Sequence, residues 1–437
     1  MHLAAAAQEL RSGKGDFPAE GGDLVNPVRT VKSIDAVATL QTAIRHASVT
    51  GEEAPFAAYL AGVLPEIGVT PIVADFVPGR PNVWGVKRGG GGGRRLLLVG
   101  HTDVVHARGW GERWAGTERA DPFGAAVVDG EVWGRGAADL KAGICTAIEA
   151  LRILDASGET LAGDVILAFV GDEESGEPGT GVSAGMKAFA ALLKSGGIPR
   201  PDLAIYLEPT TLDIYPAQIG FFIGEIEVTG RTVYFGVPEQ GVDALKATHS
   251  VLSALWEHSA DLEGRGSHEL VGRSFLLVTS IEGGGLIAVP GACRLSLIRK
   301  LRPGEGLSEA RRELEAVVRG AVNDPAVGIS FAYPAGRDHE VGGEAFEVDP
   351  QLETIRLLQD VVRRHRPDRG RIAGAPFWSE GSFLTALGIP AVYFAPGDIG
   401  ICHTLEERVP IEEYLTGIAA LAEFIGRFCG VAAPGQR

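Results

Sequence analysis

Cysteine is scarce in this sequence and widely dispersed. The four cysteines, Cys145, Cys293, Cys402 and Cys429, form no C-x-x-C pair. That spacing argues against a disulfide framework or a thiolate zinc site and for a reducing compartment, so a cytoplasmic location is expected. Positive charge is also in deficit: 40 Lys and Arg face 56 Asp and Glu, a formal charge of -16. A surface of that sign argues against nucleic acid and anionic membrane as partners, although it allows a locally basic pocket. Long apolar runs are missing as well. An alanine run, Ala4–Ala7, stands near the N-terminus, but no basic stretch leads into a long apolar core. Neither a secretory signal nor a membrane span is expected there, and residues 1–27 read as a loosely held extension.

What is present points to a large α/β protein. With 437 residues, 45% of them hydrophobic and 22% charged, the chain has the composition of a soluble globular protein. That length allows two or three domains. The apolar run Leu96–Val99 has the length of a strand buried on both faces and is closed by Gly100, His101 and, two residues on, Asp103. Two further runs of this kind follow. Asp164–Val170 ends in Asp172-Glu173-Glu174, and Asp202–Leu207 ends in Glu208. Helical spacing covers Ser33–Ala47, Glu52–Leu64 and Lys141–Asp155, with Asp139 just before the last of these. The five glycines Gly89–Gly93 precede a strand, with no G-K-[ST], so they read as a hairpin turn and not a phosphate loop.

Between Gly220 and Tyr333 the pattern changes to a β-α-β-β-α-β order, that of a ferredoxin-like α+β layer inserted in the chain. The expected architecture is α/β: a mixed, mostly parallel sheet sandwiched by helices, interrupted by this inserted layer. The boundaries expected are 28–216 for the first part of the catalytic domain, 217–334 for the insertion and 335–437 for the second part.

Open α/β sheets bind ligands at the carboxyl ends of their strands. The polar residues following the strands are His101, Asp139, Glu174, Glu208 and His403. Two imidazoles and three carboxylates form a mixed N/O donor set suited to zinc, manganese or cobalt, with one or two ions held, and too rich in nitrogen for calcium or magnesium. Glu173, beside a ligand, is the candidate proton carrier, and Asp103 the candidate partner of the His101 ring. Cys402, next to His403, reads as a small buried hydrophobe and not as a nucleophile.

GHTDVV, GRGAADLKAG, the Asp-Glu-Glu after an apolar strand, YLEP and CHTLEERV together resemble, in order, the motifs of the cocatalytic metallopeptidases. That family includes aminoacylase, acetylornithine deacetylase, succinyl-diaminopimelate desuccinylase and glutamate carboxypeptidase. The resemblance implies that His101, Asp139 and Glu208 bind one metal and Asp139, Glu174 and His403 the other, with Glu173 as general acid/base. It also implies that the inserted layer is a lid through which at least a dimer forms, and that the substrate is a small molecule bearing a carboxylate.

The departures from the family pattern lie in the lid. Tyr234 stands at the position of a lid histidine that stabilises the oxyanion, and Asp243 at that of an asparagine. A second lid asparagine is missing from EGGGLIAVP, and Ser379-Glu380 stands where Ser-Asp is usual. Arg299 matches the arginine that contacts a substrate carboxylate. Tyr234, Arg299 and Ser379 are therefore the expected substrate contacts. An oxyanion donor can be worth on the order of 3–4 kcal/mol, so its loss favours a reaction whose charge is not concentrated on one carbonyl oxygen. Hydrolytic release of ammonia from a nitro-substituted aromatic amine, as in 5-nitroanthranilate aminohydrolase, fits that demand. The alternative is an N-acyl amino acid deacylase or dipeptidase in which the Tyr234 hydroxyl serves the oxyanion. A serine hydrolase built on Gly181-Val-Ser183-Ala-Gly185 would need a strand directly before Ser183, where the sequence has GEPGT. A non-catalytic ligand-binding dimer is the remaining rival, and the retained Glu173 argues against it.

Overall fold

The computed structural model describes residues 33–174, 179–334 and 343–432. The expected extension, residues 1–27, lies outside them. Two compact units divide the chain. The first takes the described parts of Met1–Pro216, Val348–Ile372 and Phe383–Arg437; the second takes those of Ala217–Glu347 and Ala373–Ser382.

The first unit opens with helices α1 (Ser33–Arg45) and α2 (Ala54–Val63), then strands β1 (Ile72–Val77), β2 (Arg80–Lys87) and β3 (Leu96–His101). A one-turn helix α3 (Trp110–Arg113) and the short strands β4 (Ala126–Val128) and β5 (Glu131–Trp133) lead to α4 (Ala142–Ser157). Strand β6 (Val165–Val170), helix α5 (Ala184–Ser195) and strands β7 (Leu203–Tyr206) and β8 (Ile214–Gln218) complete this part. The second unit holds β9 (Gly220–Thr229), α6 (Ala244–Gly264), β10 (Phe275–Gly283), β11 (Ala292–Leu301), α7 (Leu307–Gly320), β12 (Gly328–Ala332) and the two-residue β13 (Phe346–Glu347). After it come α8 (Glu353–His365), β14 (Ile372–Ala375), α9 (Gly381–Ala386), β15 (Ala391–Tyr393), β16 (Arg408–Pro410) and α10 (Ile411–Cys429).

In the first unit the strand order is β1-β2-β6-β3-β7-β15-β8. The central pairs β6-β3, β3-β7 and β7-β15 are parallel, while β1-β2, β2-β6 and β15-β8 are antiparallel. Every residue of β3, β6 and β7 is buried, as their uninterrupted apolar runs require when helices cover both faces. The first turn of α4 lies close to the end of β7: a Cβ at Gly143 would collide with the Leu207 backbone, so only glycine allows this approach.

Three local expectations change. Gly89–Gly93 is not a hairpin turn, because β6 lies between β2 and β3 in the sheet. The glycines instead run along residues 161–164, with the amides of Gly90 and Gly91 bonded to the carbonyls of Leu161 and Ala162 at 2.7 and 2.8 Å. Helix α5 was hidden behind a glycine-rich approach. Strand β8 was hidden by Pro216, a residue that argues against a strand when read from sequence.

The second unit has the sheet order β10-β11-β9-β12, with every pairing antiparallel. With its two helices this is the ferredoxin-like arrangement. Strand β9 alternates buried and half-buried residues along its whole length, and Phe222, Ile226 and Val228 from it pack with Leu255 and Leu262 of α6 and Leu314 and Val318 of α7. Among the described residues no helix is long and apolar enough to cross a membrane.

Candidate metal centre

Parallel strands deliver their carboxyl ends to one side of a sheet, and the first unit uses this to gather its charge. His101 is the last residue of β3. Glu173 and Glu174 follow β6 and Glu208 follows β7. Asp139 lies in the turn Ala137–Lys141 that leads into α4, with φ -115 and ψ 93. His403, at φ 63, lies between the turn Ile399–Ile401 and β16.

These side chains meet. His101 Nε2 is 3.0 Å from Asp139 Oδ1 and 3.9 Å from Glu208 Oε1. His403 Nε2 is 3.1 Å from Asp139 Oδ2 and 2.7 Å from Glu174 Oε1. Asp139 thus turns one oxygen to each imidazole. Three overlapping groups have ligand atoms within 4.8 Å of one another: His101-Asp139-Glu208, Asp139-Glu174-His403 and His101-Glu173-Glu174. All are buried except His403, whose side chain is 40% exposed and forms the open side.

The electrostatics follow from that crowding. Burial alone would lower the pKa of both imidazoles. The hydrogen bond to Asp139 and the charges of Glu173 and Glu208 instead hold His101 well above its ordinary value. Bonds to Asp139 and Glu174 push His403 up to about 11. Burial would raise Asp139, yet its bonds to the two imidazoles hold it well below the usual carboxylate range. Four carboxylates crowd two imidazoles, and a divalent cation would supply the positive charge that such a cluster favours. The donor set, two imidazole nitrogens with carboxylate oxygens, therefore fits zinc, manganese or cobalt.

Asp103 acts differently from the expectation. The His101 Nδ1 faces the Asp103 backbone carbonyl at 2.9 Å, while the carboxylate is 3.8 Å away. That carboxylate accepts the amides of Glu173 and Glu174 at 3.2 and 2.8 Å and the Thr50 hydroxyl at 3.1 Å, so it fixes the backbone of the acidic loop. Burial pushes its pKa up to about 8.

The expected substrate contacts belong to the second unit. The Arg299 side chain is buried, donating to its neighbour's carbonyl, that of Lys300, and paired with Glu305 at 3.4 Å. On β11 it shares the core-facing side with Leu297 and Leu301, and strand alternation turns Ile298 and Lys300 the other way. Tyr234 is 61% exposed, its ring 4.6 Å from that of Phe235. Asp243 caps α6, accepting the Lys246 amide at 3.0 Å. Ser379 is buried and donates its amide to Gln218 at 3.2 Å.

The two nucleophile readings fail on geometry. Cys402 is buried, and burial with the nearby carboxylates pushes its thiol well above the ordinary value. Ser183 stands at the N-cap position of α5 without a capping side-chain bond and is fully buried, with residues 179–182 before it in no strand. Two residues escaped the sequence reading. Asp172 accepts the amides of Gly181, Val182 and Ala184 and pairs with Arg80 at 2.8 Å. Glu407 binds the Asp139 turn. Both lie inside motifs quoted above, Asp172 in Asp-Glu-Glu and Glu407 in CHTLEERV, but neither was given a role there.

The chain is also similar to known proteins. Residues 97–427 match the family model described as Peptidase family M20/M25/M40. The chain is 28% identical over 394 residues to the N-formyl-4-amino-5-aminomethyl-2-methylpyrimidine deformylase of Halalkalibacterium halodurans, covering 85% of this chain and 88% of that protein. It is 28% identical over 392 residues to the acetylornithine deacetylase of Myxococcus xanthus, covering 89% and 92%. In fold it is similar to a Bacillus subtilis dinuclear metal-binding peptidase, with a TM-score of 0.63 at 13% identity over 90% of this chain and 97% of that one.

Proposed function

The chain belongs to peptidase family M20/M25/M40, and we propose that it is a deacylase hydrolysing the amide bond of a small, carboxylate-bearing N-acyl substrate. The observation that carries the reading is the convergence of His101, Asp139, Glu174, Glu208 and His403 from distant segments into overlapping groups within ligand distance. In this reading His101, Asp139 and Glu208 hold one divalent ion and Asp139, Glu174 and His403 a second. A bound pair of such ions lowers the pKa of water towards about 7 and stabilises charge developing on the attacked group. Glu173 takes the proton released by water and delivers it to the leaving nitrogen. Asp103, through the amides of Glu173 and Glu174, keeps that carboxylate in place. The inserted unit serves as a lid and pairs with a second copy. The apolar Leu277 and Ile281, exposed on edge strand β10, support that assignment, and sedimentation of the purified protein tests it.

The relatives' names favour the deacylase over the aromatic aminohydrolase, since both reported relatives are named for removing an acyl group. One observation speaks for the aromatic substrate: the exposed Tyr234–Phe235 pair, a surface on which a ring could stack. A single assay separates them. Metal-loaded enzyme should release carboxylate from N-acetyl and N-succinyl amino acids and little ammonia from a nitro-substituted aminobenzoate, and the reverse preference would overturn the deacylase reading.

A further inference from the structure

Four residues beyond His403, Glu407 is fully buried and ties together two segments 268 positions apart. Its Oε1 accepts the amides of Ala138 and Asp139, each at 3.1 Å. Its Oε2 pairs with the Arg135 guanidinium, itself 2% exposed. Arg135 reaches back to the carbonyl of Thr404, the residue after His403, at 3.0 Å. The backbone repeats the link, since the Gly134 amide donates to the Glu407 carbonyl at 3.2 Å. The His403 segment therefore grips the turn that carries Asp139 through one carboxylate and its counter-ion.

A buried ion pair of this kind adds little net stability, because desolvation offsets its attraction. What it does supply is placement. Asp139 lies in a turn of irregular backbone and His403 in a segment with φ 63, so neither is positioned by a regular element. The two must nonetheless stay within ligand distance of each other.

We propose that Glu407, with Arg135 as its counter-ion, is a positioning residue that sets the register between Asp139 and His403 and so determines how tightly a cation is held on the His403 side of the centre. This rests on the metal-hydrolase reading above. It assigns Glu407 no contact with substrate or metal.

The test is calorimetric and visible-absorption titration of the metal-free protein with cobalt(II), with thermal unfolding as the control for folding. Two double variants remove the buried charges together and differ in one acceptor. Glu407→Gln with Arg135→Gln keeps an oxygen for the two amides, whereas Glu407→Leu with Arg135→Gln does not. The reference variant His403→Ala identifies which uptake step depends on that histidine. The leucine variant should weaken that step by about 10- to 100-fold and the other, which shares Asp139, by less, while the glutamine variant titrates as the unaltered protein does. If the leucine variant does not fold, Glu407→Asp, one methylene shorter with its charge intact, should weaken the same step. Identical titrations for the leucine and glutamine variants, a uniform loss in both steps, or an unaltered Glu407→Asp titration would overturn the role of Glu407. An unaltered protein that takes up no cobalt(II), or that His403→Ala leaves unchanged, would overturn the metal reading itself.

Discussion

At the strand ends of the first unit, Asp139, Glu173, Glu174 and Glu208 are buried beside only two imidazoles. In the second unit the buried Arg299 lies against Glu305 at 3.4 Å, and on the surface Arg265 pairs with Glu313 at 2.5 Å. Arg299 and the strand-end carboxylates are both buried, but Arg299 has a carboxylate of opposite sign against it, whereas the strand-end cluster gathers four carboxylates around two imidazoles. A matched pair satisfies itself and serves the fold. An excess of carboxylates calls for positive charge from elsewhere, and it raises the pKa of the neighbouring imidazoles. The imbalance, more than the burial, marks the functional centre.

Breaking the unbalanced cluster should have the largest effect. Exhaustive chelation should abolish activity, and zinc, manganese or cobalt should restore it, as read by substrate turnover. A cation present at 100 to 1,000 times its dissociation constant should also contribute about 3–4 kcal/mol of stability, seen as a fall in the thermal midpoint on chelation. Glu173→Gln removes the proton carrier and should lower kcat by about 100- to 10,000-fold while cobalt(II) uptake stays unchanged. An active Glu173→Gln enzyme would assign the proton transfer to another group.

The matched pairs should respond in stability alone. Glu305→Ala leaves Arg299 buried without its carboxylate and should cost about 3 kcal/mol in denaturant unfolding, whereas Glu305→Leu with Arg299→Met should be near neutral. A double variant as damaged as the single one would show that Arg299 does more than balance Glu305.

The smallest effect concerns Glu423 on α10, which accepts from His365 Nε2 at 2.9 Å and Arg364 Nε at 3.1 Å, both on α8. Burial would raise its pKa, but the bonds from His365 and Arg364 lower it to about 2. A depressed carboxylate stabilises the fold fully above its ordinary value of 4.5, and that contribution fades as the pH falls towards about 2. Glu423→Gln should therefore flatten the stability curve over that interval, by about 1 kcal/mol for a pair this accessible to solvent.

Much of the catalytic unit was legible because parallel sheets write themselves plainly. Leu96–Val99 and Val165–Val170 are apolar throughout, since both faces are covered, and the polar residue ending each run marks the ligand side of the sheet. The ferredoxin-like unit was readable from its alternating strands. Less was legible where one residue of register matters. Arg299 matched a motif by type, but residue type does not say which face of β11 it takes, since in a strand a shift of one position exchanges the two faces. Asp103 shows a second limit: a side chain two residues from His101 invites pairing with it, yet the backbone carbonyl is nearer and the carboxylate serves the acidic loop. Glu407 and Asp172 were silent because much of their bonding is to main-chain amides, which leave no trace in residue type, and their arginine partners lie far away in sequence.

The chain by itself determined which residues carry donor chemistry and that they follow buried strands, because hydrophobic periodicity and residue type are local properties. The tertiary structure decided which of those donors share an ion-sized space, which carboxylates hold backbone amides, and which way Arg299 turns. Those outcomes depend on strand order and on contacts between segments hundreds of residues apart, such as Asp139 with His403, where the geometry is set by the packed sheet and not by any neighbour in sequence.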